Sequence, residues 1–298
     1  MQECLRNAIA TYFASPEQTE ATVSYLSDCM NAFLRRQERV MICIPDREDA
    51  PLGRLFARAV ERSGGIAVLW SDDLRWKSLL RQAFQNRCTT IIGMPQVILS
   101  LTKLSRATGT PLYIRNVVLC GYPAEDWLIE GIRKKLDCRM WGCFVPGLGS
   151  LVAGFSRQDH FGIYLRADRF KMSIVDPQDC PVEQGVQGQM VLQPRGAENL
   201  RCHTGEFAYW NDPGFADGTA PFIPVPEDNG DLTRLRREFL SWTSVLDFHG
   251  TYSEYGLCLE LNVFHGESLP KLPSCARLSI HRWNPEDDKP FSLPFWEK

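Results

Sequence analysis

Two hydrophobic periods alternate along the first half of the chain. An unbroken apolar run, Val40-Met41-Ile42-Cys43-Ile44, stops at Pro45-Asp46, and a segment over 51–63 with apolar residues at helical spacing follows until Gly64-Gly65 ends it. The pair of signals then repeats: a strand over 66–70, a helix from Asp72 or Asp73 to about 87, a strand over 89–94, and a helix from Pro95 to 106 closed by Thr108-Gly109. A further strand starts at Asn116 and stops at Gly121 and Pro123, a helix spans 124–136, and a strand covers Arg139–Phe144. Ahead of all this, Ser15 is a candidate N-cap with Pro16 at the first helical position, leading a helix that carries Val23, Leu26, Met30 and Phe33. Continuous apolar strands between amphipathic helices call for a parallel sheet covered on both faces, with right-handed crossovers. Ligands in such sheets gather at the carboxyl ends of the strands.

After Gly149 the pattern changes. Short strand signals at 150–155, 162–165, 170–175 and 189–193 follow one another without helices. Asp176-Pro177-Gln178-Asp179 and the glycine-rich stretch 183–188 supply the turns of an antiparallel meander. Residues 211–230, rich in Pro, Gly and Asp, read as an irregular linker. A helix over 231–241 and strands over 245–251 and 256–264 make a small α-β-β unit, and the tail after Pro285 is expected on the surface. The expectation is an α/β fold: a parallel sheet flanked by helices (1–150), a mainly antiparallel β-region (151–210), and a linker with a small C-terminal unit (211–298).

Composition narrows the partners. In 298 residues, 33 basic and 36 acidic side chains give a formal charge of −3 with no long block of either sign, which argues against nucleic acid or another polyanion. No apolar run reaches membrane-spanning length, and MQECLRNAIA lacks a signal-peptide core. The eleven cysteines are scattered, without a Cys-x-x-Cys pair, and the five histidines form no metal pattern. These features lead to an expectation of a cytoplasmic chain with reduced thiols, no membrane and no structural metal.

Three short motifs, in order, carry a resemblance. Cys120-Gly121-Tyr122-Pro123 ends a strand, Trp141-Gly142-Cys143-Phe144-Val145 ends the next, and Thr204-Gly205-Glu206 follows the meander. The order and spacing resemble those of adenylate-forming enzymes of the phenylacetate–CoA ligase type. There a Gly-Gly-Glu-like turn, a Tyr-Gly-x-Thr-Glu motif and a Thr-Gly-Asp motif occur in this sequence. Ile174-Val175-Asp176-Pro177 and Gly188-Gln189-Met190-Val191 are similar to that family's Ile-x-Asp-Pro and Gly-Glu-Leu-Val segments. The resemblance implies ATP or AMP and CoA as ligands, held near Gly121, Tyr122, Pro123, Trp141, Gly142, Thr204, Gly205 and Glu206. Trp141 would stack on the base and Glu206 would accept from the ribose hydroxyls.

Several residues depart from the family's pattern. Phe144 and Val145 stand where it has Thr-Glu, so Mg²⁺ loses its carboxylate, and hard cations want oxygen ligands. His203 replaces an arginine. The family's phosphate loop would lie ahead of the first helix, where no glycine occurs in the first 50 residues, and Lys271, Lys289 and Lys298 sit in no recognisable motif for its catalytic lysine. A bland reading remains open for single residues: Trp141 as a core aromatic, Tyr122 as a surface aromatic, Cys143 as packing, and the 142–149 loop as a turn. Together these features imply a divergent relative that binds a nucleotide, an acyl ligand or a protein partner, with ligase catalysis impaired or lost. Two alternatives stay open. One is a working ATP-dependent acyl–CoA ligase, its missing groups supplied by a partner subunit or by unusual residues; the other is a scaffold whose pocket is filled by Tyr122, Trp141 and Phe144.

Overall fold

The computed structural model describes residues 15–44, 52–70, 75–120, 126–146, 151–156, 162–197, 200–211, 221–225, 231–265, 267, 272 and 277–284. Helix α1 (Pro16–Met30) begins as its cap predicts, with the Ser15 side chain accepting from the Gln18 N–H at 3.4 Å and Pro16 in the first turn. Strands β1 (Arg39–Cys43), β2 (Ile66–Leu69), β3 (Thr90–Gly93), β4 (Asn116–Cys120) and β5 (Arg139–Phe144) alternate with α2 (Leu52–Arg62), α3 (Trp76–Gln85), α4 (Pro95–Thr108) and α5 (Asp126–Leu136). All five strands pair in parallel, in the order β2-β1-β3-β4-β5. Asp72 and Asp73, expected to cap the third helix, lie outside the described residues, as do Ala124 and the tail after Pro285.

The unbroken apolar strands are explained by two cores. Within one strand, alternate side chains go to opposite faces. Met41, Ile91, Val117 and Met140 pack with α3, α4 and α5, whereas Val40, Ile92, Val118 and Trp141 pack with α1 and α2. Neither face is left to water, so no polar alternation is needed.

Strands β6 (Gly154–Ser156), β7 (Ile163–Leu165), β8 (Phe170–Val175), β9 (Gly188–Pro194), β10 (Cys202–Trp210) and β11 (Phe222–Val225) do not form a separate layer. They extend the parallel sheet into one of eleven strands, ordered β2-β1-β3-β4-β5-β6-β7-β11-β10-β9-β8, with antiparallel pairing from β5 onward. Phe222–Val225, inside the stretch expected as linker, is the strand that closes the gap between β7 and β10. Its four residues are too few, and its turn-rich flanks too strong, to stand out as a strand. At Gly154 an added Cβ would stand 2.6 Å from both Ile163 Cγ2 and the Tyr164 carbonyl oxygen, so β6 and β7 approach this closely only through glycine.

Helix α6 (Asp231–Ser241) and strands β12 (Val245–Ser253), β13 (Gly256–Phe264) and β14 (Arg277–Trp283) form the C-terminal unit. Strand β14, unanticipated in the sequence, pairs in parallel with β13 along its length. The unit packs on the helical face: Leu240, Leu246, Phe264 and Trp283 share one core with α3, α4 and α5. Polar ties reinforce the seam. The Ser100 hydroxyl donates to the Leu246 carbonyl at 2.5 Å, and the Lys103 ammonium to that of Val245 at 2.8 Å. The Trp76 indole N–H donates to Asp247 Oδ2 at 2.6 Å, and Asn262 donates to the other carboxylate oxygen.

Candidate functional site

The expected site begins where β4 and β5 end side by side, with Cys120 opposite Cys143. Gly121, Tyr122 and Pro123 lie outside the described residues, as do residues 147–150 of the glycine-rich loop. The strand period sends Trp141 and Cys143 to the α1–α2 face. There Trp141 is 5% exposed, its ring stacked 4.2 Å from that of Phe33, with the Arg139 guanidinium 5.5 Å from its centroid. Phe144 and Val145 are buried as well. Phe144 meets Phe222 edge to face at 5.3 Å, and Val145 joins the α1–α2 core. Gly142 donates its N–H to the Ser156 hydroxyl at 2.7 Å, and an added Cβ there would lie 2.8 Å from Ile163 Cδ1. This end of β5 is therefore an apolar plug locked to β6 and β7. Cys143 sits inside it, with burial pushing its thiol far up, which suits packing and not attack on a substrate.

The Thr204-Gly205-Glu206 stretch is built differently. Pairing of β10 with β9 shifts register between His203 and Phe207, and Gly205 takes φ +81 within that bulge. A left-handed residue here favours glycine, and the bulge turns the next side chain away from the regular pleat. The buried Thr204 hydroxyl donates to the Met190 carbonyl at 3.1 Å and accepts the Glu206 N–H at 3.1 Å. Both backbone and side chain thus pin the turn. Glu206 is half-buried, with its Oε2 atom shielded from water.

The residues flanking this turn are engaged elsewhere. Arg201 binds Asp179 through two hydrogen bonds, each of 2.7 Å, which hold the Asp179 carboxyl below its usual range. His203 places Nδ1 2.9 Å from Gln189 Oε1 and Nε2 3.5 Å from the same Asp179 carboxylate. Neither is aimed at Glu206 by these contacts. Among the described residues no group of three His, Cys, Asp or Glu could hold a metal ion, and no helix is long and apolar enough to cross a membrane.

Arg166 escaped the sequence reading. It is 2% exposed, donates to the Thr22 hydroxyl at 3.1 Å, and lies 4.6 Å from the centroid of Tyr25. Burial lowers its pKa, yet the ring face and the carbonyls of Ala21 and Val152 replace part of its hydration. It fastens the turn after β7 to α1. No local pattern marks a lone arginine that becomes buried only when two distant segments meet.

The sheet and its strand order are similar to the fold of solved acyl–CoA ligases. A 2-hydroxyisobutyryl-CoA ligase in the postadenylation state, in complex with 2-HIB-AMP, superposes with a TM-score of 0.67 at 12% identity, over 94% of this chain and 70% of that one. A benzoate CoA ligase from Burkholderia xenovorans LB400 gives 0.58 at 11% identity, over 89% and 62%. The amide bond synthetase McbA from Marinactinospora thermotolerans gives 0.52 at 16% identity, over 90% and 63%. The chain spans 58% and 52% of the 2-hydroxyisobutyryl-CoA ligase chains solved in the thioesterification state and in an open conformation. No protein-family model matches the chain, and no curated protein matches it in sequence. Identities this low establish the shared fold and leave the chemistry to be argued from the site.

Proposed function

We propose that this chain is a ligand-binding relative of the adenylate-forming acyl–CoA ligases, taking an adenine nucleotide at Glu206 without carrying out efficient adenylation. The observation that carries the reading is the end of β5. Phe144 and Val145, 4% and 3% exposed, occupy the positions of the Thr-Glu pair to which the sequence resemblance assigns phosphate and Mg²⁺. Adenylation transfers the AMP unit of ATP to a carboxylate with pyrophosphate leaving, and its charge is stabilised by cations and hydrogen-bond donors positioned in advance. Two packed apolar side chains offer neither. The bulge at Gly205 supports retained binding, because it fixes the turn that carries Glu206, and a carboxylate is the group that accepts ribose hydroxyls. Trp141 enters this reading as packing beneath the strand end, since Phe33 takes its stacking face. The fold neighbours bind 2-HIB-AMP and CoA, which makes AMP, ATP and CoA the ligands to try first.

A working ligase is the second reading, favoured by the same Thr204–Glu206 turn, whose hydrogen-bonded geometry holds a carboxylate at the position of the motif's acid. Calorimetry with AMP, ATP and CoA, with and without Mg²⁺, separates the cases when paired with a pyrophosphate-release assay over a panel of carboxylic acids. The expected result is AMP binding that is independent of Mg²⁺, lost in Glu206→Ala, and unaccompanied by pyrophosphate release. Release that depends on one acid would establish the ligase instead. Absence of binding by all three would leave a scaffold.

A further inference from the structure

At the opposite edge of the parallel sheet the chain builds a second concavity. Helix α4 ends ahead of β4 and α5 ends ahead of β5, so both carboxyl ends point to the amino-terminal edge of the strands. Where they meet the C-terminal unit lies a cleft of about 900 Å³. Lys103 and Arg106 of α4 and Lys134 and Lys135 of α5 line one side. Phe264 and Trp283, edge to face at 5.8 Å, line the other.

Cations near helix carboxyl ends are ordinarily favoured by the helix dipole, and such a lysine would hold its proton firmly. Here the lysines behave in the opposite way. Lys103 is 4% exposed, and burial first, then the neighbouring Lys135, brings its pKa down to about 7. Lys135, at the mouth, is lowered by partial desolvation and by Arg106. The opposing charges do not cancel this. Asp247 on β12 faces Lys103, but its carboxyl is itself pushed up to about 6 by burial and already accepts from Trp76 and Asn262. Glu267 and the imidazole of His265 stand on the far wall, and Lys134 leans 4.0 Å from Glu130 of its own helix. Among the described residues neither Arg106 nor Lys135 has a carboxylate within ion-pair reach. Four cationic side chains thus gather beside an aromatic wall, and Arg106 and Lys135 among them stand outside ion-pair reach of the described carboxylates.

We propose that this cleft binds a small organic phosphate, its phosphate held by Arg106 and Lys135 above Lys103 and its aromatic or apolar part against Phe264 and Trp283. The volume falls within the range of roughly 300–1,000 Å³ typical of small-molecule sites. The guanidinium fork suits a phosphate's paired oxygens, and charge-assisted hydrogen bonds are the strong ones. A bound anion restores the proton on Lys103, so binding takes up protons near neutrality and weakens as pH rises from about 7. This site is separate from Glu206 and stands whether or not a nucleotide binds there.

Calorimetry on the full chain with phenyl phosphate and with inorganic phosphate tests the proposal, in two buffers of different ionisation enthalpy. Saturable binding of phenyl phosphate, tighter than phosphate alone and with net proton uptake at neutral pH, is expected. The Arg106→Gln/Lys135→Gln pair should weaken it by about tenfold or more, as expected for lost charge-assisted contacts, and Glu206→Ala should leave it unchanged. Both substituted side chains are exposed, so the fold should persist, and circular dichroism checks it; Arg106→Gln alone gives the same readout should the pair fail to fold. No saturable heat, equal binding by the variant, or loss in Glu206→Ala would overturn the site.

Discussion

The end of β5 and the cleft between α4, α5 and the C-terminal unit are near opposites. The first lies where an open α/β sheet ordinarily does its chemistry, and there the chain places Trp141, Phe144 and Val145 in the core. The second lies at the edge where such sheets ordinarily do nothing but pack, and there it gathers Lys103, Arg106 and Lys135. A strand end can be filled with aromatics because neighbouring strands β6, β7 and β11 close over it, whereas in the cleft only Lys103 is buried and the charges of Arg106 and Lys135 stay exposed.

The strongest way to break this comparison is Phe144→Ala. If the strand end is truly a structural plug, losing the ring that abuts Phe222 should cost about 3–5 kcal/mol, read as a lowered midpoint in denaturant unfolding. A loss below about 1 kcal/mol, within the range of surface substitutions, would mean the position is open and the plug an illusion.

Asp247→Ala probes the other region. It strips the Trp76 and Asn262 donors of their acceptor, for an expected loss of about 2–3 kcal/mol. The sign of its pH dependence is also determined. The folded-state pKa is about 6 against an ordinary 3.8, so the group's contribution is fully present below about pH 4 and is lost as pH rises through 6. The variant should lose this descending segment of the stability profile. An unchanged slope between pH 4 and 6 would show that the carboxyl is solvated and the seam looser than described.

Gly205→Ala should have the smallest effect on stability, about 1–2 kcal/mol for a left-handed residue gaining a Cβ, yet it should disturb the Glu206 turn. Nucleotide affinity falling more than stability would sharpen the case for that turn as a binding element. Equal affinity in the variant would reduce it to a bulge.

The parallel half was legible because local signals agreed with one another: Ser15 and Pro16 at a helix start, Gly109 at a helix end, and apolar runs such as Asn116–Cys120 between them. Strands β11 and β14 were missed for different reasons. Phe222–Val225 sits among turn residues and earns its pairing only from β7 and β10, and Arg277–Trp283 alternates weakly, exposing Leu278 and Ile280 at the edge of a small sheet. The Thr204-Gly205-Glu206 motif was visible as a tripeptide, but not the bulge that aims it, since a register shift belongs to two strands at once.

By itself the sequence determined the alternation of strands and helices, their caps, and the two-sided burial that makes a parallel sheet, because these follow from periodicities of two and 3.6 residues within short windows. It also determined that Phe144 and Val145 bring no oxygen to the end of β5. Only the tertiary structure decided that the meander continues the same sheet, that Phe33 covers Trp141, and that Lys103 meets Asp247 from 144 residues away across the docked C-terminal unit. Desolvation and charge pairing depend on what arrives from elsewhere in the chain, and no local pattern encodes that arrival.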